Sequence, residues 1–333
     1  MPDDTKTLSV PAIDIGSFFD NSAQEKRSVV HAVSAACRNI GFLVVKNHGL
    51  PAAVLEDGFR ISRAFFDLPQ DAKDAMHPTG PSKQRGYHGF ASRGLSNTLG
   101  IKAPPDLRES FFLGPVDDFR DYYRHIPDAE IAYWPNMLPA EPVGIAETLV
   151  TLYRGFEKLS VNLLTIFALA LDMPEDHFLD KINRHFSIMS CHHYPALNVM
   201  PVEGQLRTGP HTDFGALTIL AMTTEIGGLE VQMPDGSWTN VVAGPGELVI
   251  NLGDMMARWT NERWISTLHR VVNPPELEDA KSRRQSIGYF MHPNFDTVIE
   301  CFPTCLDDGA DPRYPPITAG QHIADKIAKS HIV

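Results

Sequence analysis

The chain has 333 residues, of which 43% are hydrophobic, 21% are charged and 9% are aromatic. These fractions are typical of a globular protein and exclude a disordered or fibrous chain. The length predicts two domains, or one large domain with extensions, and a core that needs no disulfides. The net charge is −12, and no basic cluster is longer than KSRR at Lys281–Arg284, so we expect no nucleic-acid partner.

The sequence does not have the features of a membrane or secreted protein. Its longest strongly apolar stretch, Val161–Leu171, is too short for a bilayer span, which takes about 20 residues. The opening MPDDTKTLSV is polar and predicts no secretory signal. The four cysteines are scattered, which favours free thiols. We therefore expect a cytoplasmic protein with no membrane partner, and the sequence does not predict its oligomeric state.

The N-terminal half is predicted to be largely helical. Apolar residues recur at helical spacing over Ser28–Ile40, Ala52–Phe66 and Glu147–Leu171. Between the first two helices, the β-branched run of Gly41–Pro51 predicts a strand followed by a turn. From Pro78 to Pro105 the chain is rich in Gly, Ser and Pro, which predicts a long loop that crosses a site.

After about Phe186 the pattern changes to short alternating or apolar runs, mostly separated by Gly, Pro, Asn or Asp. Strands at this spacing are typical of an all-β sandwich or barrel. The sequence therefore predicts a helical N-terminal half around a β-rich C-terminal core. The runs are SIMSCHHY, ALTILAM, GLEVQM, SWTNVV, ELVINLG, STLHRVV, RQSIGYFM and TVIECF.

The tripeptide His211-Thr212-Asp213 is the only His-x-Asp in the sequence, and it begins a strand-like segment. On a strand, the side chains of residues i and i+2 point to the same face, roughly 6–7 Å apart along the chain. An imidazole and a carboxylate placed in this way can bind one ion. A His-x-Asp by itself is a weak signal, and it more usually forms a surface hydrogen bond.

His269 lies in the predicted strand Ser266–Val272, where Thr267 and Val271 share its face. A single histidine in such a place is most simply a core residue bonded to a backbone carbonyl. Together with His211 and Asp213, however, it would complete the facial triad of two histidines and one carboxylate that leaves positions open on Fe(II). A structural zinc site would instead close its coordination with four ligands.

Arg284 and Ser286 lie on the same face of a predicted strand, and Gly288 and Phe290 continue that face. A guanidinium beside a hydroxyl suits a carboxylate, because arginine can bind it through two parallel hydrogen bonds. The alternative is a solvated surface pair, which we expect for the adjacent Arg283. The apolar setting of Arg284 favours an inward side chain that needs an anion.

The order His-x-Asp, distant His, Arg-x-Ser resembles that of the iron- and 2-oxoglutarate-dependent oxygenases of the isopenicillin N synthase-like group. The resemblance covers nearly the whole chain. Its N-terminal motifs are VPAIDIGSF, GFLVVKNHGLP, SRAFFDLP and DLRESFFLG. Its C-terminal motifs are PHTDFGALTIL, GGLEVQ, ELVINLGDMMARWTN, STLHRVVNP and RQSIGYFMHPN.

The resemblance implies an α+β fold, a double-stranded β-helix (jelly-roll) core with a helical N-terminal region packed around it. It divides the chain into four segments. These are an N-terminal non-haem dioxygenase region at 1–125, a helical connection at 126–185, the Fe(II)/2-oxoglutarate jelly-roll core at 186–305 and a C-terminal extension at 306–333.

The resemblance also implies roles for individual residues. His211, Asp213 and His269 would bind Fe(II), and Arg284 and Ser286 would hold the distal carboxylate of 2-oxoglutarate. Tyr194 would assist that carboxylate, whereas His192 departs from the asparagine of many plant members and receives no role. We expect segment 80–99 to help close the substrate pocket. The predicted substrate contacts are Tyr87, Phe90, Phe112, Phe214, Asn251 and Phe290.

The implied activity is hydroxylation or desaturation of a small molecule, coupled to conversion of 2-oxoglutarate and O2 to succinate and CO2. Three alternatives stay open at this point. An oxidase of the same fold could use Arg284 and Ser286 to hold the carboxylate of its own substrate, without 2-oxoglutarate. An ethylene-forming enzyme would fragment 2-oxoglutarate itself. A non-catalytic metal-binding protein is disfavoured, because it would not need three ligands at an open site.

Overall fold

The computed structural model describes residues 9–20, 22–100, 102–197, 200–223, 227–275, 280–307 and 309–330. Within these ranges, most helices lie in the N-terminal half of the chain. The α-helices are α1 (Gly16–Asp20), α2 (Ala23–Asn39), α3 (Ala52–Phe66), α4 (Gln70–Asp74), α5 (Arg120–Tyr123), α6 (Ala129–Ala132), α7 (Ile145–Ala170), α8 (Leu179–Ile182), α9 (Asp254–Trp259) and α10 (Ala319–Ser330). Short 3-10 helices are η1 (Leu95–Leu99), η2 (Ala280–Ser282) and η3 (Pro303–Cys305).

The three long helices of the N-terminal half form where the apolar spacing predicted them. Helix α3 has the predicted bounds. Helix α2 begins before the predicted Ser28, because Ser22 and Glu25 form a capping box that satisfies free N–H groups of its first turn. Helix α7 buries a Leu-rich face and packs against α2 and α3. These helices cover one side of the strands.

The strands dominate the chain after α8, but four lie before α7. They are β1 (Ala12–Asp14), β2 (Phe42–Lys46), β3 (Gly86–His88), β4 (Glu109–Leu113), β5 (Ile188–Tyr194), β6 (Thr208–His211), β7 (Leu217–Met222), β8 (Leu229–Gln232), β9 (Trp238–Asn240), β10 (Leu248–Leu252), β11 (His269–Val271), β12 (Arg284–Met291), β13 (Val298–Ile299) and β14 (Ile317–Thr318).

The larger sheet has eight strands in the order β1-β2-β10-β7-β12-β5-β4-β3. Its neighbours are antiparallel except β1 and β2, which are parallel. The N-terminal region therefore does more than place helices around the core, because β1 and β2 extend one end of this sheet and β3 and β4 extend the other.

The smaller sheet has four strands in the order β6-β11-β8-β9. A cluster of buried apolar side chains includes residues from both sheets, among them Phe42, Tyr194, Val231, Val249 and Val271. Two mostly antiparallel sheets joined by such a core, with helices on the outside, form the α+β jelly roll that the sequence predicted.

The segment from Pro78 to Pro105 is not a continuous loop. It contains β3, which pairs with β4 at the end of the larger sheet, and the 3-10 helix η1. The prediction was wrong here because β3 is only three residues long. A strand this short, among glycines and serines, has no readable alternation, and its pairing with β4 creates it.

Candidate active site

Three side chains of types that can bind metals meet at one end of the smaller sheet. His211 is the last residue of β6 and His269 is the first of β11, and the two are direct partners in the antiparallel ladder. Their ring centroids are 4.2 Å apart. Asp213 lies two residues beyond the end of β6, so His211-Thr212-Asp213 ends a strand rather than beginning one. The chain turns there, which brings the carboxylate back towards both rings.

The three side chains present their ligand atoms to a common point. Oδ1 of Asp213 is 3.8 Å from Nε2 of His211 and 3.8 Å from Nε2 of His269. All three residues are buried, and their ligand atoms lie within 4.8 Å of one another. This donor set of two imidazoles and one carboxylate could hold a metal ion, and it suits Fe(II).

Backbone carbonyls hold both imidazole rings in position. Nδ1 of His211 donates to the carbonyl of Gly209 at 2.9 Å, and Nδ1 of His269 donates to the carbonyl of Thr267 at 3.1 Å. Each bond fixes the proton on Nδ1 and leaves the Nε2 lone pair facing the common point. Burial lowers the pKa of His211 to about 3, so its ring is neutral at physiological pH.

The second oxygen of Asp213 is engaged by the protein. Oδ2 accepts hydrogen bonds from Oγ1 of Thr218 at 2.5 Å and from Nδ2 of Asn251 at 2.7 Å. Burial by itself raises the pKa of Asp213, but the adjacent His269 and His211 and these two donors lower it, and the net pKa is below the usual value. The carboxylate is therefore ionised, with Oδ1 free for a ligand.

Arg284 and Ser286 lie nearby on β12, and Tyr194 on β5 is the register partner of Arg284. Arg284 is buried; its Nε donates to the carbonyl of Gly227 at 3.0 Å, and its Cζ lies 4.8 Å from the centroid of the Tyr194 ring. The Tyr194 hydroxyl is 3.5 Å from Oγ of Ser286. As predicted, Arg284 and Ser286 share an inward face with Gly288 and Phe290.

One guanidinium nitrogen of Arg284 is free to bind an anion. Its Nη1 is buried and has no hydrogen-bond partner among the described residues. Burial lowers the pKa of Arg284, with Tyr194 opposing the shift. A buried, unpartnered guanidinium N–H is costly unless a ligand satisfies it. Arg284, with Ser286 and Tyr194 beside it, therefore fits a carboxylate of 2-oxoglutarate.

The triad and the Arg284 group line one cavity between the two sheets. Four of the six predicted substrate contacts line it as well: Phe112 on β4, Phe290 on β12, Asn251 on β10, and Phe214 next to Asp213. The phenylalanine rings make an apolar wall beyond the triad. The amide nitrogen of Asn251 is bonded to Asp213, so its first contact is that carboxylate rather than a substrate.

Two predicted substrate contacts do not reach the cavity. Tyr87 points to the opposite side of the larger sheet, where its hydroxyl donates to Oε2 of Glu109 at 2.5 Å and its ring packs on Phe65. Phe90 is 44% exposed, outside the cavity. Successive residues of a strand face opposite ways, so His88 lines the cavity in place of Tyr87.

Segment 80–99 does line the cavity, but through residues that sequence reasoning missed. Two further polar residues, Arg108 and His292, line the cavity as well. His292 could have been found, because it continues the alternation of Ser286, Gly288 and Phe290 by one step. The cavity-lining residues of the segment are Gln84, His88, Gly89, Ser92, Arg93, Gly94 and Leu95.

His192, which received no predicted role, also lines the cavity. It stands two residues before Tyr194 on β5, between Ser110 on β4 and Ser286 on β12 in the register. Its Nδ1 is 2.7 Å from Oγ of Ser110. Burial first, and the positive charge of Arg108 second, hold its pKa well below the usual value. The ring is thus a neutral hydrogen-bonding group.

Comparison with known proteins identifies the family. The profile described as the non-haem dioxygenase in morphine synthesis N-terminal matches residues 10–141, and that of the 2OG-Fe(II) oxygenase superfamily matches residues 185–293. The 2-oxoglutarate-Fe(II) type oxidoreductase hxnY of Emericella nidulans is 30% identical over 326 residues, which cover 96% of this chain and 90% of that protein. The chain belongs to the 2OG-Fe(II) oxygenase superfamily.

Solved structures agree with this assignment. Full-length T7H of Neurospora crassa in complex with alpha-KG (2-oxoglutarate) matches with a TM-score of 0.85 and 28% identity, over 98% of both chains. Its complex with alpha-KG and thymine matches with a TM-score of 0.84 and 28% identity, over 98% of this chain and 99% of that one. The present protein is a 2-oxoglutarate-dependent dioxygenase that uses Fe(II), 2-oxoglutarate and O2, which confirms the main sequence prediction.

In the described part of the chain, no helix combines the length and apolarity that a membrane crossing requires. The cytoplasmic location and the four-segment division of the chain stay predictions from the sequence.

Proposed function

We propose that His211, Asp213 and His269 bind one Fe(II) ion through the two Nε2 atoms and Oδ1. The observation that carries this proposal is which of their polar atoms are hydrogen-bonded to the protein and which are free for a ligand. Both Nδ1 atoms and Oδ2 are hydrogen-bonded to the protein, while the remaining three atoms face one point and receive no hydrogen bond from any residue that the structure describes. Three protein ligands leave three positions for a cosubstrate and O2.

The distal carboxylate of 2-oxoglutarate binds to Arg284, with Ser286 and Tyr194 as hydrogen-bonding neighbours. The unpartnered Nη1 of Arg284 supports this role, as does its position on the cavity wall that also carries the triad. A carboxylate on a guanidinium fork is a strong, oriented pair, particularly away from water. Arg284 thereby fixes which end of the cosubstrate faces the triad.

The reaction we propose is hydroxylation or desaturation of a small molecule. When bound, iron and 2-oxoglutarate supply the oxidising chemistry, in which O2 is consumed and succinate and CO2 are released. The protein contributes orientation and exclusion of water. Phe112, Phe214 and Phe290 hold the apolar body of the substrate beside the triad. Small molecules such as thymine and 5-formyluracil in the T7H complexes support a substrate of this size.

The test is an anaerobic titration of the Fe(II)-loaded protein with 2-oxoglutarate, followed by visible absorption. We expect a charge-transfer band, which reports a keto acid chelated to iron. Asp213→Ala should abolish both the band and tight Fe(II) binding while the circular dichroism spectrum is retained. The matched control is Asp235→Asn, in an exposed turn before β9. Full iron occupancy and turnover in Asp213→Ala would overturn the triad assignment.

Product analysis then distinguishes the proposed reaction from the ethylene-forming and oxidase alternatives. Succinate formed in step with 2-oxoglutarate consumed, and stimulated by a substrate, supports the proposed reaction. Ethylene release would indicate fragmentation of 2-oxoglutarate. Substrate oxidation without any 2-oxoglutarate would indicate the oxidase alternative.

A further inference from the structure

Two arginines line the cavity on the side of β4, beyond the triad. Arg93 lies between β3 and η1, and its Cζ is 5.3 Å from the centroid of the Phe112 ring. Arg108 directly precedes β4, and its Nη1 is 3.4 Å from Nε2 of His192. Burial first, and the charge of Arg108 second, lower the pKa of Arg93 to about 10, so it remains a cation at neutral pH.

Of these two cations, only Arg108 has a carboxylate partner among the residues that the structure describes. Asp106 lies 3.4 Å from Nη2 of Arg108, and its oxygens also accept from the backbone N–H groups of Leu95 and Gly209. Among the residues that the structure describes, Arg93 has no carboxylate within 4 Å, and its Nη2 donates only to the carbonyl of Lys83. Asp213 is committed to the triad. The substrate end of the cavity therefore carries a positive charge without a counter-charge.

A second polar group that lines the cavity, His88, has one ring nitrogen without a hydrogen-bond partner among the described residues. His88 on β3 is buried, lines the cavity and lies with its ring 5.4 Å from that of Phe112. Its Nε2 is buried and has no hydrogen-bond partner in the described part of the chain. Burial, followed by the charge of Arg93, lowers the pKa of His88 to about 3, so it is a neutral hydrogen-bonding group. Leaving such an atom unsatisfied is costly unless a ligand reaches it.

We propose that the substrate is a small carboxylic acid whose carboxylate binds to Arg93, with His88 bonded to a further polar atom of the same molecule. The apolar body of the acid then lies along Phe112 and towards the triad. The carboxylate is held at the far end, so the oxidised carbon is remote from it. This inference rests on the proposed function, because it describes the substrate of that same site.

The test measures binding to the anaerobic Fe(II)·2-oxoglutarate protein by isothermal titration calorimetry. Saturating 2-oxoglutarate occupies Arg284, which prevents a test acid from binding there. The probes are phenylacetate, 3-phenylpropionate and nicotinate, each paired with its primary amide, which has the same shape without the charge. The charge-transfer absorption is recorded in the same samples. We expect at least one acid to bind at least tenfold more tightly than its amide.

Three variants test whether the preference for an acid over its amide depends on Arg93. Arg93→Gln should weaken binding of the preferred acid about 10- to 100-fold, the range for loss of a charge-assisted pair, and leave binding of the amide nearly unchanged. Arg93→Lys keeps the charge and should restore part of the preference. The matched control Arg60→Gln, in an exposed ion pair on α3, should leave every affinity as in the wild type.

The experiment distinguishes failure of the acid-substrate proposal, of the role of Arg93 and of the proposed function. A normal charge-transfer band with no acid bound more tightly than its amide overturns the acid-substrate proposal and leaves the proposed function intact. An acid preference that survives in Arg93→Gln overturns the role of Arg93. Absence of the charge-transfer band in the wild-type protein refutes the proposed function, and this inference with it.

Discussion

Asn251 and Asp213 are joined by a hydrogen bond of 2.7 Å, in which the amide nitrogen donates to Oδ2 of the carboxylate. Asn251 is buried in β10, and Asp213 lies in the turn after β6, so the bond connects the larger sheet to the ligand group. It turns Oδ1, rather than Oδ2, towards the two histidines. The residue predicted to contact substrate thus acts first on a side chain that we propose as a metal ligand.

We predict that Asn251→Ala lowers Fe(II) affinity about 10- to 100-fold, the usual cost of removing a partner that orients a ligand. Anaerobic Fe(II) titration measures this directly. Asn240→Ala, on the exposed face of β9, is the control and should bind iron like the wild type. Unchanged iron affinity together with weaker substrate binding would instead make Asn251 a substrate contact.

Arg284→Ala should raise the 2-oxoglutarate concentration needed for turnover. Loss of one partner of a buried charged pair costs about 2–5 kcal/mol, which is roughly 30-fold to several thousand-fold in affinity. The control is the neighbour Arg283→Ala. Arg283 points to the other face of the sheet, where it lies 2.6 Å from Asp67 and donates to His193. Equal effects of the two substitutions on 2-oxoglutarate dependence would contradict the inward role of Arg284.

Much of the site could be predicted because strand alternation and sequence order carry the information. Arg284, Ser286, Gly288 and Phe290 share one face of β12, as period two requires. The triad was predicted from the His-x-Asp spacing, the strand placement of His269 and the order of the motifs in the family that the chain resembles. In contrast, Tyr87 was placed on the wrong face, because β3 is too short for its phase to be read.

The cations at the substrate end could not be predicted, for a different physical reason. Arg93 lies in an irregular segment and Arg108 just before a strand. They approach His192 only because β4 pairs with β5, about 80 residues further along the chain. Such long-range pairing leaves no local pattern. Strand β2 was predicted from the β-branched run after Gly41, but its place in the larger sheet was not, because it depends on pairing with β10, about 200 residues further along the chain.

Glu109 should make stability depend on pH. Its carboxylate is buried and accepts from Lys73 at 2.9 Å, Tyr87 at 2.5 Å and His193 at 2.7 Å. Burial by itself raises the pKa of Glu109, but these three partners lower it below its ordinary value of 4.5. A depressed folded-state pKa contributes stability that is present above the unfolded value and is lost as pH falls through the folded one.

We therefore predict that Glu109→Gln destabilises the fold by about 3–5 kcal/mol at pH 7, because Lys73 is left buried without its carboxylate. The difference from the wild type should narrow below about pH 4.5, where the wild type itself loses this contribution. Urea unfolding of both proteins at pH 7 and pH 4 measures this difference in the free energy of unfolding. Glu262→Gln, whose ion pair with Arg313 is exposed, should change stability by less than about 1 kcal/mol. A difference that widens in acid would contradict the prediction.

The C-terminal helix α10 is tied to the ligand-bearing turn through Asp254. This carboxylate accepts from Ser266 at 2.6 Å, from Thr212 at 3.2 Å and from Lys326 of α10. Ile323 of the same helix lines the cavity. Lys326 thus helps to hold one wall of the substrate site in place.

Lys326→Met should make α10 exchange its amide hydrogens faster and should increase 2-oxoglutarate decay that is not coupled to substrate oxidation. Fe(II) affinity should stay the same, because no ligand atom is touched. Hydrogen–deuterium exchange and the ratio of succinate to oxidised product measure the two effects. Lys158→Met, on the exposed side of α7, is the control. Unaltered exchange in α10 would show that other contacts hold the helix.

The order of strands in the larger sheet also governs how the chain can fold as it is made. Strand β2 pairs with β10, whose residues follow it by about 200 positions. At roughly 5–20 residues per second of synthesis, β10 is made about ten seconds or more after β2. Its run Phe42–Val45 is apolar and buried in the finished protein. Until β10 is made, β2 can pair only with β1, which leaves its other edge open to aggregation, so the yield during expression should depend on chaperones that bind the first 60 residues or so.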